Sequence, residues 1–199
     1  MKGSRLVCLC VSAAIALAEP RTLPSRECIR SRTTAGVQGM PLRAGVVSGQ
    51  GKLFAVGGYR EEDQGMEEAL KSVECFDPST GVWTNINPMN EAREELGVAV
   101  LGDKLFAIGG FNNDEEVLSS VECLDLSVPN SAWTPVAPMT MPRAGLRVAV
   151  TGGKIYAIGG YRNARSSIEC FDPNEGPQGQ WTLTSETIEF PLGASYTAF

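Results

Sequence analysis

Lys154-Ile-Tyr-Ala-Ile-Gly-Gly-Tyr161 decides the fold, because it recurs as Lys104-Leu-Phe-Ala-Ile-Gly-Gly-Phe111 and as Lys52-Leu-Phe-Ala-Val-Gly-Gly-Tyr59. The first glycines are Gly57, Gly109 and Gly159, giving intervals of 52 and 50 residues. A period of this size marks a chain built from copies of one supersecondary unit, each burying its apolar face against the next. Downstream in each copy come Val73-Glu-Cys-Phe-Asp-Pro78, Val121-Glu-Cys-Leu-Asp125 and Ile168-Glu-Cys-Phe-Asp-Pro173, then a single tryptophan: Trp83, Trp133 and Trp181. Upstream stand Arg43-Ala-Gly45, Arg93 and Arg143-Ala-Gly145, and Pro88-Met89 and Pro138-Met139 follow the first two tryptophans.

Each copy holds short runs rich in Val, Ile, Phe and Tyr between Gly, Asp and Pro turns, which predicts four antiparallel strands. In the third copy they are expected near Leu146 to Val150, Ile155 to Ile158, Ser167 to Phe171 and Trp181 to Thr184. The Gly-Lys and Asp-Lys pairs at 51–52, 103–104 and 153–154 fall at the first hairpin. The double glycine ends the second strand, where close approach by a neighbour leaves no room for a Cβ.

This set of motifs resembles the Kelch repeat, and is most similar to the repeats of Kelch-like proteins that also carry BTB domains. The resemblance covers residues 41 to 190 and implies an all-β chain of Kelch-type β-propeller blades, one four-stranded antiparallel sheet per repeat, at 41–90, 91–140 and 141–190. Three blades do not close a ring, since propellers typically have about four to eight. The first copy is two residues short before its glycines, Glu95 stands where glycine is expected after Arg93, and the third copy lacks Pro-Met. Residues 191–199 read as the start of a further strand.

Ahead of the repeats, Lys2 and Arg5 precede an apolar run from Leu6 to Ala18 that ends in Ala16-Leu17-Ala18. That is the layout of a secretory signal peptide over 1–18, followed by a linker over 19–40. It predicts secretion. The free cysteines of the Kelch-like repeats and the lack of an Asn-x-Ser/Thr acceptor point instead to the cytoplasm.

The 199 residues carry a net charge of -6, and residues 41 to 199 alone hold 11 basic against 21 acidic side chains. Such a field disfavours nucleic acid, and no later run is long enough for a membrane span. With no histidine, Ser-His-Asp and Cys-His nucleophile pairs and His-ligated metals are absent from the chain. The glycine spacing before the lysines does not fit a phosphate loop, and the clusters Glu61-Glu62-Asp63, Glu67-Glu68 and Asp114-Glu115-Glu116 lack calcium-loop spacing. No cofactor or metal is expected. Cys75, Cys123 and Cys170 share one strand position in successive blades, too far apart for disulfides, and read as small buried thiols. The tryptophans and the Phe/Tyr positions 54, 106 and 156 read as core anchors.

Function is expected in what varies between copies. The loops between second and third strands differ in length and sign: Tyr59 to Ser72 and Phe111 to Ser120 are acidic, whereas Tyr161 to Ser167 carries Arg162 and Arg165. The expectation is a non-enzymatic protein-interaction module that binds a protein or acidic peptide through this face. Arg93, Arg143, Tyr161, Arg162 and Arg165 are the candidate contacts, although repetition also gives Arg93 and Arg143 a structural role. What the resemblance implies leaves two alternatives: the substrate-reading part of a cullin ubiquitin ligase adaptor without its BTB domain, or a sugar-processing Kelch enzyme using channel arginines and carboxylates. A homodimer of three plus three blades, the last blade of each copy on the first of the other, is the expected route to a closed six-bladed ring.

Overall fold

Runs that alternate side chains between two faces, cut at every few residues by glycine or an Asp-led turn, can only form short strands joined by tight hairpins. The computed structural model describes residues 41–61, 67–161 and 166–187, and these form three four-stranded antiparallel sheets with no helix among them. Blade 1 consists of β1 (Gly45–Gly49), β2 (Lys52–Val56), β5 (Val73–Asp77) and β6 (Val82–Ile86). A separate ribbon of β3 (Tyr59–Glu61) and β4 (Glu67–Ala69) lies between β2 and β5. Blade 2 is built from β7 (Gly97–Leu101), β8 (Lys104–Ile108), β9 (Val121–Asp125) and β10 (Thr134–Val136), and blade 3 from β11 (Arg147–Thr151), β12 (Lys154–Ile158), β13 (Ser167–Asp172) and β14 (Gln180–Thr187). Each sheet follows chain order, and the closest contacts between sheets join the first strands β1, β7 and β11.

The third copy's strands fall within one to three residues of the expected places. The ribbon β3–β4 was not anticipated. Its segment is long enough for the backbone to satisfy its own hydrogen bonds, with Tyr59 opposite Ala69. Every third strand ends on an aspartate that closes the following turn: Asp77 accepts from the N–H and hydroxyl of Ser79, Asp125 from those of Ser127, and Asp172 from the N–H of Asn174. The Ser79 bonds hold the Asp77 carboxyl below the usual aspartate range. Lys154 does the same for Asp172 from 2.8 Å.

Packing distinguishes two faces on every blade. The forward face of blade 1, with Phe54, Val56, Val73 and Cys75, meets the rear face of blade 2, with Leu105, Ala107, Leu124 and Trp133. Blade 2 repeats the arrangement, setting Phe106, Ile108, Val121 and Cys123 against Ile155, Ala157, Phe171 and Trp181. Burial of these apolar side chains at roughly 25 cal/mol per Å² is what holds the sheets together. The outer two faces are not covered in the same way. Trp83 on the rear of blade 1, and Tyr156 and Cys170 on the front of blade 3, are only half-buried. The expected core role of Trp83 and Tyr156 and the buried state of Cys170 are therefore corrected: a repeated motif sets a side chain's direction, while its neighbour sets its burial.

Candidate functional site

The connection from one blade's last strand to the next blade's first strand passes over the loop face, and an arginine anchors it. In the first connection the backbone of Arg93 serves blade 1: its N–H donates to Leu70 O and its carbonyl accepts from Gly58 N–H. A Cβ on Gly57 would collide with that carbonyl, which explains the first glycine of the pair. The Arg93 side chain serves blade 2. Nε donates to Glu122 at 3.2 Å, Nη1 to the carbonyls of Gly109 and Ser120, and Nη2 to Ser120 Oγ and Glu91. Arg143 repeats the arrangement one blade on, bonding Glu169 at 3.0 Å, Gly159 O, and the carbonyl and hydroxyl of Ser167.

Glu122 and Glu169 complete these junctions. Glu122 also accepts from the N–H groups of Asn90 and Glu91, and Glu169 from the N–H and hydroxyl of Thr140 and the N–H of Met141. Arg93 and Arg143 are 1% and 0% exposed, so their forked donors face inward to charges of the same molecule. This burial favours the structural reading of both arginines over contact with a partner.

Arg43 does not belong to this series. Leu42 bridges Tyr59 as Glu94 bridges Phe111, and Ala144 O accepts from Tyr161 N–H, so positions 42, 94 and 144 correspond. Arg43 is thus equivalent to Glu95 and Gly145, and all three have positive φ of 53°, 50° and 61°. The Arg-x-Gly match that aligned Arg43 with Arg93 and Arg143 is out of register by two residues, and Pro41 occupies the arginine position in blade 1. Arg43 is instead half-exposed on the loop face, 2.9 Å from Glu95 and 3.5 Å from Glu94, with its guanidinium 5.1 Å from the centre of the Tyr59 ring.

The residue after each double glycine lines the same face. Tyr59 is buried beneath Arg43, and the half-buried rings of Phe111 and Tyr161 lie 6.1 Å apart. Arg162 and Arg165 lie outside the described residues. The acidic loops of blades 1 and 2 are docked together, since Asn113 accepts from Ala69 N–H at 2.6 Å and Asn112 folds its own loop by accepting from Asp114 and Glu116. The cluster of Arg43, Glu94, Glu95 and Tyr59 was not legible from the motifs, because its signal was the two-residue shortening of the first copy. Among the described residues no group of His, Cys, Asp or Glu is placed to hold a metal ion, and no helix is long and apolar enough to cross a membrane.

Comparison with known proteins adds three findings. The model of the Kelch motif matches residues 40–90, 92–140 and 142–186. Curated relatives include the influenza virus NS1A-binding protein homolog of Xenopus laevis, 45% identical over 69 residues, which are 35% of this chain and 10% of that protein. Kelch-like protein 28 of Mus musculus is 44% identical over 64 residues, 31% of this chain and 11% of its own length. The matched segments thus span about a tenth of these relatives. Among solved structures, that of YjhT matches with a TM-score of 0.61 at 16% identity, covering 72% of this chain and 51% of that one, a likeness of fold.

Proposed function

The chain belongs to the Kelch-motif family, and from that premise we propose that it is a non-enzymatic interaction module that grips a protein or acidic peptide on its loop face. One observation carries the reading: beneath that face the two junctions use the same Arg-Glu anchor, while the loops above differ in length and sign. Shared geometry supports the scaffold, and varied loops on a rigid scaffold are where recognition concentrates. Tyr161, Arg162 and Arg165 are the contacts for acidic groups. Arg93 and Arg143 act from below, fixing the loop bases. Their pairing with Glu122 and Glu169 also weighs against a sugar-processing centre, which needs such arginines open to a substrate.

Affinity capture with the full chain tests this. The double substitution Arg162→Glu and Arg165→Glu should release the captured partner while leaving the circular dichroism spectrum unchanged. Loss of capture only when the opposite turns at Lys52, Lys104 and Lys154 are altered would overturn the assignment.

The same reading includes self-association, with the forward face of blade 3 seated on the rear face of blade 1 in a second copy. Half-buried Tyr156, Ile158, Ile168 and Cys170 on one side and Leu53, Phe76 and Trp83 on the other support it.

A further inference from the structure

Two departures from the repeat fall on the two outer faces. On the rear of blade 1, Glu74 occupies the place of Glu122 and Glu169: Val46, Ala55 and Glu74 form one cross-strand row, as do Val98, Ala107 and Glu122, and Val148, Ala157 and Glu169. Glu122 and Glu169 each hold a buried arginine. Glu74 has no such partner among the described residues, since Pro41 stands at the arginine position, and partial burial pushes its carboxyl above the usual range.

The second departure is on the front of blade 3. At the start of the first strand, blades 1 and 2 have Gly45 and Gly97, whose missing side chains admit Val98 and Val148 of the following blade. A Cβ on Gly45 would lie 2.6 Å from Val98 Cγ1. The equivalent residue in blade 3 is Arg147, which is exposed. In a junction of the internal kind this arginine meets Val46 of the incoming blade, at the head of the row that leads across the small Ala55 to Glu74. That row is about 10 Å long, two inter-strand spacings, within the combined reach of an arginine and a glutamate side chain.

We propose that Arg147 of one copy forms an ion pair with Glu74 of a second copy, replacing in trans the arginine that the first blade lacks. The inference rests on the self-association described above and specifies its chemistry. Where Pro142-Arg143 precedes blade 3, the stretch after Trp181 reads Pro191-Leu192, with leucine in the arginine's place, and Arg147 is the source of the guanidinium. Its side chain holds the first strands of the joined blades farther apart than Gly97 does, and the guanidinium fills the opening over Ala55. The junction between copies is thereby distinct from the two within a copy. It favours blade 3 meeting a blade that presents an unpaired glutamate over one whose glutamate is already satisfied.

Sedimentation equilibrium of the full chain, with thermal melts as a check on folding, tests the pair. The wild type should sediment as a dimer. Arg147→Glu and Glu74→Arg should each raise the dimer dissociation constant by about thirtyfold or more, the effect of breaking a desolvated interfacial charge pair, and the double swap should recover most of that loss. A dimer indifferent to either reversal, or singles that weaken it with no recovery in the swap, would overturn the ion pair and leave self-association standing. A folded wild-type monomer at all concentrations would overturn both.

Discussion

The junction between blades 1 and 2 and that between blades 2 and 3 agree at their inner ends and part company at their outer ends. Inside, an arginine and a glutamate are held in matching geometry, Arg93 with Glu122 and Arg143 with Glu169. Outside, the first junction is laced by asparagine. Asn87 Nδ2 donates to the carbonyls of Asn130 and Ser131, Asn87 O accepts from Trp133 Nε1 at 2.8 Å, and Asn90 Nδ2 donates to Trp133 O. The second junction has Ala137 and Thr140 at those positions, with a backbone bond from Ala137 N–H to Gln178 O, and the buried Trp181 Nε1 has no acceptor among the described residues. The inner anchor and the apolar faces, which both junctions share, therefore define how blades stack. The outer lacing adds stability to one junction without changing the arrangement.

The largest test of that comparison is at the inner end. Arg93→Ala and Arg143→Ala each strand a buried carboxylate, and each should cost about 3–5 kcal/mol in urea unfolding of the full chain, by similar amounts. A loss below about 1 kcal/mol at one site alone, the size of an ordinary surface change, would break the equivalence of the two anchors.

At the outer ends the expected effects are smaller and unequal. Trp133→Phe removes a paired N–H and leaves Asn87 O short of a donor, a cost of about 1–2 kcal/mol beyond the change in packing. Trp181→Phe removes an N–H that is already unpaired and should cost less. The reverse order in the same unfolding assay would reverse the comparison.

The smallest effect separates covered faces from the uncovered one. Cys75 and Cys123 lie under a following blade, burial pushes the Cys75 thiol up, and Cys170 is half-buried. In chain diluted below the dimer dissociation constant, native alkylation followed by peptide mass spectrometry should label Cys170 faster than the other two, with the difference erased in denaturant and narrowed at concentrations where the dimer forms. Equal rates in the dilute chain would mean that the third blade's face is covered within one copy as the first two are.

Repetition made the sheets legible: spacing placed the strands, the glycine pairs marked a close backbone approach, and Asp-led turns marked the ends of third strands. Other features depended on which copy lies beside which. Trp83, Tyr156 and Cys170 carry the same motif as their buried counterparts, and only the neighbouring blade distinguishes them. Arg43 misled because an Arg-x-Gly string recurs two residues from the register that hydrogen bonding enforces. The inward role of Arg93 and Arg143 was one of two readings, since an arginine's type says nothing about which side of a connection its side chain takes.

Arg93 lends its backbone to one blade and its side chain to the next, and that division has a consequence for the order of synthesis. A ribosome releases the chain from its N-terminus, so blade 1 emerges before the residue that locks its loop base. The N–H of Gly58 and the carbonyl of Leu70 wait for Arg93. Arg93 in turn must wait for Glu122, which follows 29 residues later, at about 5–20 residues per second. Blades 1 and 2 are therefore each locked to their successor only when more than half of that successor has been made, and a nascent chain halted between Arg93 and Glu122 holds a guanidinium whose carboxylate has not yet been translated.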